Sequence, residues 1–183
     1  STRADMSVPT SYVNIERREI EKLNTGRDLP YLLDQTPSVL VTSDGGTGVG
    51  YTSLRIRGSD ISRINVMVNG IPLNDPESQV VYWVDLPDFA SSTDNIQVQR
   101  GVGTSVNGAG AFGGSINLLT QEMPQEPGAK IHASAGSFST FRNSVQFATG
   151  RSLGRFAMEG RLSRISSEGY IDRASSELKS FFV

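Results

Sequence analysis

The chain has 183 residues, with Lys+Arg 17 against Asp+Glu 19 and a formal net charge of −2, a length that suits one ordinary domain, or one domain and a piece of another. Near-neutral charge and a pI of about 5.4 lack the concentrated basic face of a nucleic-acid binder. The absence of cysteine excludes disulfides, thiolate metal sites and thiol nucleophiles, and a single histidine, His132, leaves no multi-histidine metal site or His-based triad.

From the N-terminus, Ser1-Thr2-Arg3 carries neither Met nor an apolar leader and reads as the start of a processed or trimmed piece. Residues 1–36 read as mostly helical. Asn14 is placed to cap a short helix over 16–23 that buries Ile20 and Leu23, and Asp28 to cap a second with Leu29, Leu32 and Leu33 on one face. Pro30 fits that helix's first turn, and Pro37 ends it because the residue before proline avoids the helical region.

Over 38–120 the pattern changes to short β-rich runs separated by turns. Val39-Leu40-Val41-Thr42 leads into a loop in which four of the six residues 45–50 are glycine. Thr52-Ser53-Leu54-Arg55-Ile56-Arg57 alternates up to Gly58, placing Arg55 and Arg57 on one side. Ile64-Asn65-Val66-Met67-Val68 stops at Asn69-Gly70, a strong turn signal. Ile96-Gln97-Val98-Gln99-Arg100 alternates up to Gly101, and 115–119 follows a second cluster with six glycines in 101–114. Helices and strands in one unit, with connections too long for hairpins, predict an α+β domain around a small mixed sheet.

Met123-Pro124-Gln125-Glu126-Pro127-Gly128 reads as a linker. Beyond it, Ile131, Ala133 and Ala135 alternate with Lys130, His132 and Ser134. Phe141, Val145 and Phe147 alternate with Arg142, Ser144 and Gln146. Phe156, Met158, Gly160 and Leu162 alternate with Ala157, Glu159, Arg161 and Ser163. Strands of about 9–11 residues with one apolar and one charged face fit a transmembrane barrel, and fit equally an antiparallel sheet wetted on one side. Residues 178–183 begin a further strand.

Several motifs are set aside. Gly108-Ala109-Gly110-Ala111-Phe112-Gly113 has the spacing of a dinucleotide loop but no following helix, and no acidic residue lies between Gly128 and Glu159. Asp75 and Glu77 sit in a loop that offers no reason for displaced acidities, so they read as solvated carboxylates. Tyr82 and Trp83 read first as packing anchors. No catalytic, cofactor or metal site is expected. Arg55, Arg57 and Arg100, each near a glycine, suit either a solvated face or a polar docking interface.

Four ordered blocks within 32–120 resemble the plug domain of TonB-dependent outer-membrane receptors. They are Leu33-Asp34-Gln35-Thr36-Pro37-Ser38-Val39; Leu54-Arg55-Ile56-Arg57-Gly58; Val66-Met67-Val68-Asn69-Gly70-Ile71-Pro72-Leu73; and Ile96-Gln97-Val98-Gln99-Arg100-Gly101 followed by Gly108 to Asn117. Asn69 stands where the family more often has Asp.

The resemblance implies an α+β plug over 1–122, a linker over 123–128, and over 129–183 the first strands of an antiparallel transmembrane barrel of about 22 strands. It implies a non-enzymatic transporter in the outer membrane of a Gram-negative bacterium. Such a receptor takes a scarce solute (siderophore, cobalamin or glycan) and is driven by TonB, whose box would lie just upstream of residue 1, with Asp5-Met6-Ser7-Val8 as a weaker substitute. It places loops 43–51, 58–63 and 71–83 toward the solute, making Asp44, Thr47, Tyr51, Asp60, Asn74, Glu77, Tyr82 and Trp83 candidate ligand contacts. It gives Arg55, Arg57, Gly58, Gly70, Arg100, Gly101, Gly108, Gly113, Gly114 and Asn117 roles in plug–barrel docking and backbone geometry. A few barrel strands alone have unsatisfied edges, so they are expected to be disordered or to pair across molecules. The alternative from a different class is a soluble secreted α+β binding or adhesion module.

Overall fold

The alternating run before Gly101 is an interior strand of the domain's largest sheet. The structure, a computed structural model, describes residues 3–4, 10–102, 111–152 and 156–183; Gly108 and the stretch Asp5-Met6-Ser7-Val8 lie outside the described residues. In chain order the elements are β1 (Ser11–Glu16), α1 (Arg17–Leu23), a 3-10 turn (Leu29–Leu33), β2 (Val39–Ser43), β3 (Thr52–Ile56), β4 (Ile64–Val68), β5 (Ile71–Pro72), β6 (Thr93–Arg100) and β7 (Gly114–Thr120), then β8 (Gly128–Gly136), β9 (Thr140–Ala148), β10 (Glu159–Ser167) and β11 (Ser176–Phe182). They make an α+β fold with three sheets, ordered β1-β6-β7-β4-β5, β2-β3 and β11-β10-β9-β8.

The first sheet is mixed. β6 pairs antiparallel with β1 and β7, while β4 runs parallel to β7. Its register aligns Ile96 with Leu118, and Val98 with Ile116 and Val66, on one face. These side chains pack with Ile20, Leu32, Leu33, Leu54, Ile56 and Trp83 into the core, which supplies the main driving force for folding. The opposite face carries Gln97, Gln99, Ser115 and Asn117, all buried. Gln97 is satisfied there by the N-terminal segment: its amide donates to Ala4 O at 2.9 Å and accepts from Ala4 N at 2.7 Å.

Two N-terminal expectations are corrected. Residues 11–16 form a strand against β6, and Asn14 caps nothing; its side-chain oxygen accepts from Gln97 at 2.9 Å. The helix starts at Arg17 with extended Glu16 before it and no side-chain cap. Asp28 likewise does not cap the following turn, which is 3-10 rather than α-helical. Its carboxylate is buried and accepts from the Thr52 hydroxyl at 2.5 Å. Burial, partly offset by that bond and by the Gly50 N–H, pushes its pKa up to about 6.

Asn69 and Gly70, at φ 51° and 82°, make the expected left-handed turn between β4 and β5. Gly114 is required for another reason, since a Cβ there would stand 2.6 Å from the Gln99 carbonyl oxygen. Arg57 is a correction: with φ at 51° it leaves the strand, which ends at Ile56, so it does not continue the side-chain row of Arg55.

The tail is also ordered differently from expectation. β8 to β11 pair antiparallel in chain order within one molecule, as four strands rather than three and a beginning.

Candidate functional site

The β8–β11 sheet is inside out by the standard of a water-soluble protein. Cross-strand partners share a face, so Lys130, Gln146 and Arg161 form one row, and His132, Ser144 and Ser163 the next. Arg142, Ser144, Gln146, Arg161 and Ser163 from this polar face are buried, while Phe141, Val145, Phe147 and Leu162 on the other face are exposed. Over β9 and β10 the polar side is covered by the first domain, whereas β8 is exposed along its whole length.

The two meet on Asp88. Leu86-Pro87-Asp88 leads into a 3-10 turn over Phe89–Ser92, directly before β6. Asp88 sits in the left-handed region (φ 56°, ψ 22°), where Asp is tolerated better than most residues. Its Oδ1 lies 2.6 Å from Arg142 Nη2 and its Oδ2 lies 3.1 Å from Arg161 Nη1, with side-chain exposures of 0% for Asp88, 9% for Arg142 and 2% for Arg161. The Ser163 hydroxyl donates to Oδ2 and that of Ser91 to Oδ1. Around them Arg161 Nε donates to Ser92 Oγ at 2.9 Å, and Gln146 donates to Ser91 O at 2.9 Å. Charges so far from water persist only when paired and hydrogen-bonded, so this cluster fixes how the two units dock.

Sequence reasoning assigned docking to arginines but missed these. Arg55 and Arg57 are exposed, and Arg100 donates to Ser11 Oγ at 2.5 Å, within the first sheet. Gly101 sits beside the Arg57 guanidinium, and Gly58 and Gly70 face open space. Gly113 and Gly114 approach Ser59 and Gln99, also inside the first domain; among the described residues, the glycines of that domain that meet the β8–β11 unit are Gly26, against Arg142, and Gly46 and Gly50, against Tyr170 and Ser176. Asn117 is buried on the face shared with Gln97. Nothing local marks Asp88. The available clue was Arg142 and Arg161 on the polar face of the tail, which needed a buried carboxylate elsewhere.

The contacts also define two ends. The glycine loop after β2 abuts the β10–β11 connection through Gly46 and Tyr170, whose ring also meets Phe138 edge-on at 5.3 Å. At the other end Arg151 N–H donates to Gln125 O at 3.0 Å, tying the β9–β10 connection to the linker.

At the Tyr170 end Asp44, Tyr51, Tyr82 and Trp83 line one pocket of about 200 Å³ together with Ile61 and Val80. Tyr51 and Tyr82 are exposed there, whereas Trp83 is 2% exposed and belongs to the core, which corrects its reading as a ligand contact. Asn74 is corrected too. Its amide is consumed by the backbone, accepting from Val66 N at 2.8 Å and donating to Ile64 O and Gln79 O at 2.9 Å. Thr47 is half-buried in the glycine loop and Glu77 is exposed, both outside this pocket's lining.

Asp60 turns the chain into the next 3-10 segment. The Ser62 N–H and hydroxyl that it accepts hold its pKa below the usual carboxylate range. Asp75 does the same for its loop, accepting from Ser78 N at 2.7 Å, and the Ser78 N–H and hydroxyl lower its pKa. Among the described residues no group of acidic or histidine side chains could hold a metal ion.

The family description "TonB-dependent Receptor Plug Domain" matches residues 4–115. The vitamin B12 transporter BtuB of Vibrio cholerae serotype O1 is 32% identical over 137 residues, covering 75% of this chain and 21% of that protein. The chain therefore spans about a fifth of the length of the curated relatives it matches. Among solved structures, the alcaligin outer membrane receptor FauA from Bordetella pertussis aligns with TM-score 0.69 and 19% identity over 95% of this chain and 28% of its own. The copper transporter OprC aligns with TM-score 0.68 and 23% identity, over 93% and 27%. At these identities the structural likeness shows a shared fold.

Proposed function

The chain belongs to the TonB-dependent receptor plug domain family, and on that premise we propose that it is the gate of an outer-membrane active transporter, with residues 1–122 as plug and 129–183 as the first strands of its barrel. The observation that carries this reading is the inverted burial of β9 and β10. Polar side chains turned onto a plug and bare apolar side chains turned outward suit a wall with lipid on one side and a filled lumen on the other. The relatives are transporters and receptors rather than enzymes.

In this reading the Tyr170 end faces the exterior. A scarce solute (a siderophore, corrinoid or glycan) is held by exposed Tyr51 and Tyr82 with Asp44 beside them. Aromatic faces and one carboxylate suit a large ligand that is partly apolar and carries donors.

Energy from TonB enters at the N-terminus. Ala4 is bonded twice to Gln97 of β6, and β6 follows directly on the Asp88 turn. A pull on the N-terminal segment is thus delivered to the strand that follows the turn carrying the docking carboxylate. The polar interface can part and re-form because water replaces its hydrogen bonds, which a dry apolar seal would not allow.

The test is fractionation of the full-length receptor, followed by binding assays with ferric siderophores, corrinoids and oligosaccharides. Membrane recovery with one class bound supports the reading. Recovery as a soluble protein would overturn it in favour of a secreted binding module.

A further inference from the structure

A cavity of about 350 Å³ lies between α1 and the polar face of β8 and β9. Among the described residues its lining sets three cations, Arg17, Lys130 and Arg142, and the ring of His132 against one carboxylate, Glu21. Arg17 and Glu21 are one helical turn apart and pair at 2.9 Å, which leaves Lys130 and Arg142 to be balanced. Lys130 and His132 stand two apart on exposed β8, so they share a face, opposite Gln146 and Ser144 of β9.

Arg142 is short of negative charge. One carboxylate, Asp88, serves both it and Arg161. Its Nε is buried with no hydrogen-bond partner among the described residues, as is the hydroxyl of Ser144 beside His132. Glu159 is within electrostatic reach of Arg17 and Lys130. Even so, Arg17, Lys130, Arg142 and Arg161 outnumber Glu21, Asp88 and Glu159 by one before His132 is counted. A surplus cation in a partly enclosed site attracts an anion far more strongly than one on open surface. Guanidinium, ammonium and imidazole donors around one space suit a tetrahedral oxyanion, which accepts hydrogen bonds from several directions at once.

We propose that this cavity is a phosphate-binding site, the phosphate group contacting Lys130, His132 and Arg17 and offsetting the surplus charge of the docking cluster behind them. The anion touches both units, so its binding strengthens their docking. The site requires only that docked arrangement, not a lipid-facing wall, and so stands apart from the transporter reading.

The test is isothermal titration calorimetry of the purified full-length protein with inorganic phosphate at constant ionic strength, with sodium chloride and glycerol 3-phosphate as competitors. Wild type should bind phosphate saturably, K130Q/H132Q about tenfold more weakly, and E21Q more tightly. Phosphate should also raise the urea midpoint more in wild type than in K130Q/H132Q, as expected of a ligand held only by the docked state. Circular dichroism matching wild type confirms that each variant is folded. Competition by glycerol 3-phosphate would support a site for phosphate monoesters, and its failure a site for free phosphate. No saturable uptake by wild type, as when a carboxylate from the rest of the protein fills the cavity, would overturn the proposal. Equal binding by folded K130Q/H132Q, or equal competition by chloride, would do the same. Recovery of a phosphate-binding protein in the soluble fraction would instead defeat the outer-membrane reading and leave this inference standing.

Discussion

Asp88 and Arg161 meet at 3.1 Å with side chains 0% and 2% exposed, one on the approach to β6 of the plug and the other on the inward face of β10. With Arg142 they form a buried cluster of one acid and two bases. Removing the acid leaves two guanidiniums without a counter-charge, which costs far more than an exposed ion pair is worth.

Asp88→Asn should therefore destabilise the docked plug by about 3–5 kcal/mol. Urea unfolding of the full-length receptor measures this. The triple variant with Arg142→Gln and Arg161→Gln should recover part of the loss, because the stranded charges are gone.

Asp28 sets a pH dependence of opposite sign to the common carboxylate case. Its folded pKa of about 6 lies above its ordinary 3.8, so between these values the folded chain holds a proton that the unfolded chain has released. Stability then falls as pH rises through this window. Asp28→Asn, which retains an acceptor for Thr52, should abolish that slope and be more stable at neutral pH by about 1–3 kcal/mol. Unfolding free energies of both proteins across pH 4 to 7 check it, the window following from the same linkage.

The aromatic neighbours Tyr82 and Trp83 should separate cleanly. Tyr82→Ala, alone or with Tyr51→Ala, should weaken solute binding while leaving the melting temperature near wild type. Trp83→Ala should cost about 3–5 kcal/mol of stability through the cavity it opens. Solute titrations and thermal melts of the same three variants read the two effects independently.

Gly114→Ala should destabilise the plug by about 1–3 kcal/mol, because its Cβ would press on the Gln99 carbonyl and on Ile56. Unfolding measurements on that single variant test the close approach of β6 and β7.

Features encoded by neighbouring residues were legible in the sequence. The Ile96/Val98 alternation, the Asn69-Gly70 turn and the two-faced strands over 131–135 and 141–147 appear where expected, whereas the next strand begins at Glu159, past Phe156 and Met158. Ser11–Glu16 was not legible as a strand, since what holds it there is pairing with β6, far along the chain. Arg57 was misplaced because the turn at Gly58 begins one residue early. Of the candidate site, the loop tyrosines follow from family resemblance, while Asp88 does not, because a carboxylate's burial between two distant arginines leaves no trace in its own neighbours.

The central claim, a plug docked on a wall whose other face meets lipid, is tested most directly by a cysteine scan along β9, made simple by the absence of native cysteine from these residues. Single cysteines at 141, 145 and 147, and at 142, 144 and 146, would carry an environment-sensitive fluorophore in the full-length receptor reconstituted with brominated lipid. The account predicts strong quenching at 141, 145 and 147 and little at 142, 144 and 146. Quenching without that alternation, or none at any position, would contradict it.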